Sequence, residues 1–132
     1  MNWTKDKNYT NVWITTEKFN GYQYNVIVIP DITDKTIKYW IHASSGKKRK
    51  EFEIFEDKEH KSLGGIRALF FIRDAMFDFP KYFRNISNVE GKKEYLMIGW
   101  ADSRRRDIYQ RLEKEGFQFM IDGGNKILMK KL

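Results

Sequence analysis

The chain contains no cysteine. Disulfides, thiolate nucleophiles and cysteine-based zinc sites are therefore excluded together, and a reducing compartment is permitted. Only two prolines occur, Pro30 and Pro80, and both are expected at element boundaries. No apolar run approaches the roughly 18–20 residues of a membrane span, so no membrane partner is expected. Met1 to Asp6 lacks the apolar stretch of a secretory signal. Neither an internal repeat nor a Ser/Gly-rich linker divides the 132 residues, which predicts one domain with one core, spanning 1–132. The two histidines, His42 and His60, do not form a His-x-x-x-His pair, and no carboxylate cluster has ligand spacing, so no metal is expected. Ser44 and Ser45 lack the glycine-flanked elbow of a catalytic serine. Asp31, Asp34 and the acidic Glu56 to Glu59 segment lack calcium-loop spacing.

What is present is charge and aromatic mass. Lys and Arg number 25 against 18 Asp and Glu, leaving +7, and 33% of residues are charged. Such a balance favours anionic partners; it also keeps ordinary domains soluble. The 10 Phe, 7 Tyr and 4 Trp are spread along the chain, which excludes a disordered tail. They exceed what a small core readily hides, so a homo-oligomeric interface is one expectation.

Residues 11–29 read as extended, with Tyr22, Tyr24, Val26 and Val28 on one strand face. Asn20-Gly21 is a hairpin-turn signal. Pro30 is expected to end the strand, with a turn over Asp31 to Asp34. A second strand is expected at Thr36–Ala43, with Ile37, Tyr39 and Ile41 on one face. A turn over Ser44 to Lys50 and a third strand from Glu51 to Phe55 complete an antiparallel meander. The apolar spacing from Ser62 to Phe77 predicts a helix, capped by Ser62 and stopped by Phe79-Pro80. Residues 80–93 look irregular. Tyr95 to Trp100 is apolar on both faces and reads as an interior strand. A second helix is expected from Asp102 or Ser103 to Glu115, with Ile108, Leu112 and Tyr109 as its inward candidates and Gly116 as its C′ stop. Phe117 to Ile121 and Lys126 to Lys130 should form a hairpin across Asp122 to Asn125. The order β-β-β-α-β-α-β-β describes an α+β (mixed α/β) domain.

This order, together with the segment from Ile98 through the Arg-rich helix to Gly116-Phe117, resembles the GNAT family of N-acetyltransferases over residues 20–132. The resemblance implies an acyl-CoA-binding protein with acetyl-CoA as cofactor, acting as an N-acetyltransferase on an amine if active. It implies that the cofactor pyrophosphate sits at the N-terminus of the first helix, where free amides and the helix dipole favour an anion. Aligning the family's glycine loop on Gly64 puts Lys61 at its basic position and Ile66 where a small residue belongs. Aligning it on Gly65 puts Leu63 where glycine belongs. The cofactor-binding candidates are Lys61, Gly64, Gly65, Arg67 and, at the second helix, Arg104. The family's acid, a Tyr four residues before the Gly of Gly-Phe, is replaced by Leu112; Tyr109, one turn earlier, is the substitute. Glu53 or Glu51 is the candidate base. The two helices that usually cover the acceptor side have no room in residues 1–20.

Two basic runs remain, Lys47-Lys48-Arg49-Lys50 and Arg104-Arg105-Arg106. The second opposes the dipole at a helix start. Both runs suit phosphates without base specificity or an acidic protein, and Trp13 and Trp40 are stacking candidates for bases. The alternative reading is thus a catalytically inactive module on the same scaffold, recognising a protein or nucleic acid. Small cysteine-free domains of this kind are associated with phage-type accessory proteins, placing the expected location in the cytoplasm of a bacterial or phage-infected cell.

Overall fold

The computed structural model describes residues 1–19, 21–47, 50–53, 65–99 and 111–132. Eight strands form one sheet. They are β1 (Thr4–Lys5), β2 (Trp13–Phe19), β3 (Tyr22–Ile32), β4 (Thr36–Lys47), β5 (Lys50–Glu53), β6 (Lys93–Gly99), β7 (Gln118–Asp122) and β8 (Asn125–Lys131), with helix α1 (Gly65–Ile86) between β5 and β6. The spatial order is β1-β2-β3-β4-β6-β8-β7, with β5 also paired to β4. Every neighbouring pair is antiparallel except β4 and β6, which run parallel from Thr36↔Lys93 to Ile41↔Ile98. A parallel pair needs a long crossover, and α1 lies in this one. The sheet with its helix bears out the mixed α+β class.

Alternation builds the helix-bearing face as expected. Tyr24, Val26, Val28, Ile37, Tyr39 and Ile41 are all buried, and Leu96, Ile98 and Leu128 continue the layer across β6 and β8. The α1 residues Ala68, Phe71, Ile72, Ala75, Met76, Phe79 and Phe83 are buried against it. Their spacing of three and four residues draws one stripe down the helix. Arg73, Asp74, Lys81 and Arg84 lie on its wet side.

Four expectations need correction. Helix α1 does not stop at Phe79-Pro80; it carries Pro80 internally and ends at Ile86, so residues 80–86 are helical rather than irregular. A proline inside a helix costs about 3 kcal/mol, but ending there would expose Phe83 and disrupt an aromatic cluster. Phe79 meets Trp3 edge-on at 4.8 Å and Tyr39 at 5.7 Å, and stacks on Phe83 at 5.5 Å. Each buried Phe is worth about 1.5–3 kcal/mol, so packing outweighs the missing amide.

Pro30 likewise does not end its strand, since Pro30 pairs with Tyr39 and the ladder continues to Ile32↔Ile37. The β2 ladder has already ended at Trp13↔Val28, and the Asn11 side-chain amide donates to the Pro30 carbonyl at 2.8 Å. A strand residue's N and C=O share one edge, so the absent N–H of Pro30 faces away from β4 and breaks no ladder bond.

Residues 11–29 supply two strands where the expected element order counted one, and the hairpin signal at Asn20-Gly21 is borne out: β2 and β3 pair to Phe19↔Tyr22, with Gly21 at φ 74°. Ser44 to Lys47 are strand rather than turn, because β4 continues to a Lys47↔Lys50 pair.

The carboxyl-terminal part follows the sequence closely. Gly116 has φ 95°. The Phe117 amide donates to the Leu112 carbonyl at 3.0 Å and the Gly116 amide to that of Glu113 at 3.0 Å. These are the two bonds of a Schellman stop, closing the helical residues 111–114. The β7–β8 hairpin closes at Asp122↔Asn125, with Gly123 at φ 57° and Gly124 at φ 84°. Positive φ at both central residues is the I′ signature.

Candidate functional site

The β4–β6 ladder ends at Ile41↔Ile98. Three residues later, on the same edge of β4, the β5 ladder begins at Ser44↔Glu53. The carboxyl ends of these two parallel strands therefore part around His42 and Ala43. Crevices of this kind, outside the carboxyl ends of parallel strands, are where open α/β sheets bind ligands. Helix α1 starts on the chain between these strands, at Gly65, with no acidic residue in its first turn. Its first turn thus carries no carboxylate to offset the positive end of the helix dipole.

Of the cofactor-binding candidates, Gly65 is the first residue of α1, and Arg67 is exposed in its first turn. The Arg67 guanidinium lies 4.3 Å from the Phe19 ring centroid and donates to Glu17 at 3.2 Å. Phe19 in turn stacks on Tyr24, with 4.1 Å between centroids and 9° between planes. Residues of β2, β3 and α1 are thereby brought to one corner. Burial, and secondarily the neighbouring Tyr22, pushes the Tyr24 phenol up from its ordinary value, and its buried hydroxyl has no hydrogen-bond partner among the described residues. Lys61, Gly64, Arg104 and Tyr109 lie outside the described residues. The strand candidates pair in register, Glu53 with Ser44 and Glu51 with Gly46.

Leu112 is buried with Phe117 in the core, so its side chain serves packing. Trp13 also belongs to the core margin. Its ring meets Tyr82 at 5.5 Å and Phe79 at 6.1 Å, which removes it as an exposed stacking platform. Trp40 is half-buried on the opposite sheet face. Lys47 and Lys50 close the β4–β5 ladder, while Lys48, Arg49 and Arg104 to Arg106 lie outside the described residues.

Sequence reasoning missed a polar row on the face opposite α1. Asn25 is 3% exposed. Its carbonyl oxygen accepts from Thr16 Oγ1 at 2.9 Å and from Gln23 Nε2 at 3.0 Å. Its amide donates to Ser44 Oγ at 3.4 Å. The row crosses β2, β3 and β4 and ends at the strand position that faces Glu53 in register. In the sequence, Asn25 is the one polar residue between Tyr24 and Ile29, and only that interruption marks it. Glu17, the carboxylate that holds Arg67, was also missed, because 50 residues separate the pair.

Among the described residues no group of His, Asp and Glu could hold a metal ion, and no helix is long and apolar enough to cross a membrane. Comparison of the chain with protein-family models, with curated proteins and with solved structures found no match.

Proposed function

We propose that this chain is a GNAT-like domain that binds acetyl-CoA or a related acyl-CoA at the amino end of α1. The observation that carries the reading is the one parallel pair among the described residues, β4 and β6, parting at its carboxyl ends with α1 on the crossover. The donor set suits a pyrophosphate: first-turn amides, no first-turn carboxylate, and Arg67 as a cation carried on the same turn. When bound, acetyl-CoA would supply an activated acyl group. The chain's part would be to hold the phosphates with backbone amides and to bring the thioester toward the carboxyl end of β4, where Glu53 would take a proton from an acceptor amine.

Calorimetric titration of acetyl-CoA tests this, with CoA and ATP as controls. Micromolar binding that a Gly65→Glu variant loses is the expected result. A glutamate there suits the helix dipole, so the variant keeps its fold while repelling the anion. Absence of binding at millimolar concentration rejects the reading.

A second reading is favoured by one specific observation, the burial of Leu112 where the family's acid would stand. In it the domain is a catalytically inactive module that recognises a protein or a nucleic acid through its basic runs. Binding of acetyl-CoA without acetyl transfer to any amine offered supports it. For the nucleic-acid form, affinity must fall steeply with salt.

A further inference from the structure

Tyr24 is wholly buried among core residues, and its hydroxyl has no hydrogen-bond partner among the described residues. A buried donor left unbonded is costly, and one kept in a native core calls for a reason. Phenylalanine would fill the same space without that cost. The place of the hydroxyl supplies a reason. Tyr24 stands on the helix-bearing face of β3 and pairs with Ser45, one residue beyond the Ser44↔Glu53 pair that opens the β5 ladder. It is therefore level with the point where β4 leaves β6 for β5. Its ring stacks on Phe19 with 4.1 Å between centroids, and Arg67 of the first α1 turn lies over the Phe19 ring at 4.3 Å.

Burial keeps the phenol protonated, so it is a donor. A neutral donor in apolar surroundings suits a carbonyl oxygen, which brings no charge to be desolvated. On the cofactor reading, acetyl-CoA carries such oxygens along the arm between its phosphates and its thioester. We propose that the Tyr24 hydroxyl is a contact for that arm, donating to one of its carbonyl oxygens. The assignment rests on the cofactor reading and goes beyond it, naming a residue and the ligand group it holds. The way in runs past Phe19, the last residue of β2. Arg67 is held over this ring by an exposed pair with Glu17, and such pairs contribute little. Phosphates arriving at the first turn draw Arg67 away from Glu17, and Phe19 then moves aside to admit the arm. The free chain thus carries an unbonded hydroxyl that the bound state satisfies.

Calorimetric titration of the wild-type chain and Tyr24→Phe with acetyl-CoA, CoA and ADP tests the contact, beside thermal unfolding of both proteins without ligand. Tyr24→Phe should bind acetyl-CoA about three- to tenfold more weakly, the loss of one hydrogen bond. It should bind ADP, which lacks the arm, as well as the wild type does. Its melting temperature should rise by about 3 °C or more, because an unbonded buried donor is gone. A loss with acetyl-CoA alone assigns the thioester carbonyl, and a loss with CoA as well assigns an amide of the arm. Equal affinity of the two proteins for acetyl-CoA overturns the contact and leaves the cofactor reading standing. A lower melting temperature, or an equal loss with ADP, also overturns it, since the hydroxyl then serves the fold or the phosphate end. Absence of acetyl-CoA binding to the wild type overturns both.

Discussion

Tyr39 donates its phenolic proton to Glu94 at 2.7 Å, joining the middle of β4 to the start of β6. Arg84, in the last turn of α1, grips the same carboxylate through Nε at 3.0 Å and Nη2 at 2.5 Å. Three elements meet at this carboxylate, and a cation near a helix C-terminus also suits the dipole.

Burial and the bond to Glu94 push the Tyr39 phenol well above its ordinary value of 10.0. The unfolded chain releases this proton near pH 10 while the folded chain retains it. The associated stability is complete below pH 10 and falls as the pH rises further. Urea unfolding between pH 8 and pH 11 should show that decline, with a shallower slope in Tyr39→Phe. The variant should also lose about 0.5–1.5 kcal/mol at pH 8 for the missing hydrogen bond. An identical slope in both proteins would contradict the assignment.

Pro80→Ala should stabilise the fold by about 1 kcal/mol. Restoring the amide to an uninterrupted helix is worth about 3 kcal/mol. About 1 kcal/mol is lost to the greater freedom of the unfolded chain, and about the same to the smaller buried side chain. Chemical denaturation gives the sign directly, and a destabilised variant would mean that the buried proline ring contributes more packing than its missing bond costs.

Gly116→Ala should destabilise by about 1–2 kcal/mol, because φ 95° is a conformation that side chains resist. The added methyl would also meet the Lys130 ammonium, which donates to the Glu115 carbonyl at 2.6 Å. The loss should therefore exceed that of Gly21→Ala, at a position of similar φ with open space around it. Thermal unfolding of the two variants makes the comparison.

Under the cofactor reading, Glu17→Gln should tighten acetyl-CoA binding about two- to threefold. The Arg67–Glu17 pair is exposed and worth little to the fold, whereas its carboxylate competes with a phosphate for the same guanidinium. Calorimetry on Glu17→Gln and Arg67→Ala should move affinity in opposite directions while leaving the melting temperature nearly unchanged.

Local periodicity made the strands legible. Alternation exposed the buried faces of Tyr24, Val26 and Val28 and of Ile37, Tyr39 and Ile41, and paired glycines marked the β7–β8 turn. The two proline errors share one physical cause. Pro30 and Pro80 are breakers by local rules, and both are tolerated for reasons set by residues far away: a β2 ladder that has already ended, and aromatic rings from β2, β4 and the amino-terminal segment closing on α1. The site was less legible than the fold. Gly65 and Arg67 lie at the helix end where the sequence placed them, but Glu17 and Asn25 gain their roles only when separate strands come side by side.

The parallel seam has a kinetic consequence. The β2-β3-β4 meander is assembled from short hairpins, and the β7–β8 hairpin is equally local. Among the described residues these two halves of the sheet meet in one ladder, Thr36 to Ile41 on Lys93 to Ile98, across the whole α1 crossover. Closing so long a loop is entropically costly before any contact forms. The seam should therefore form last in folding and open first under native conditions, with backbone amides at the β4–β6 junction exchanging with solvent ahead of those shared by β3 and β4.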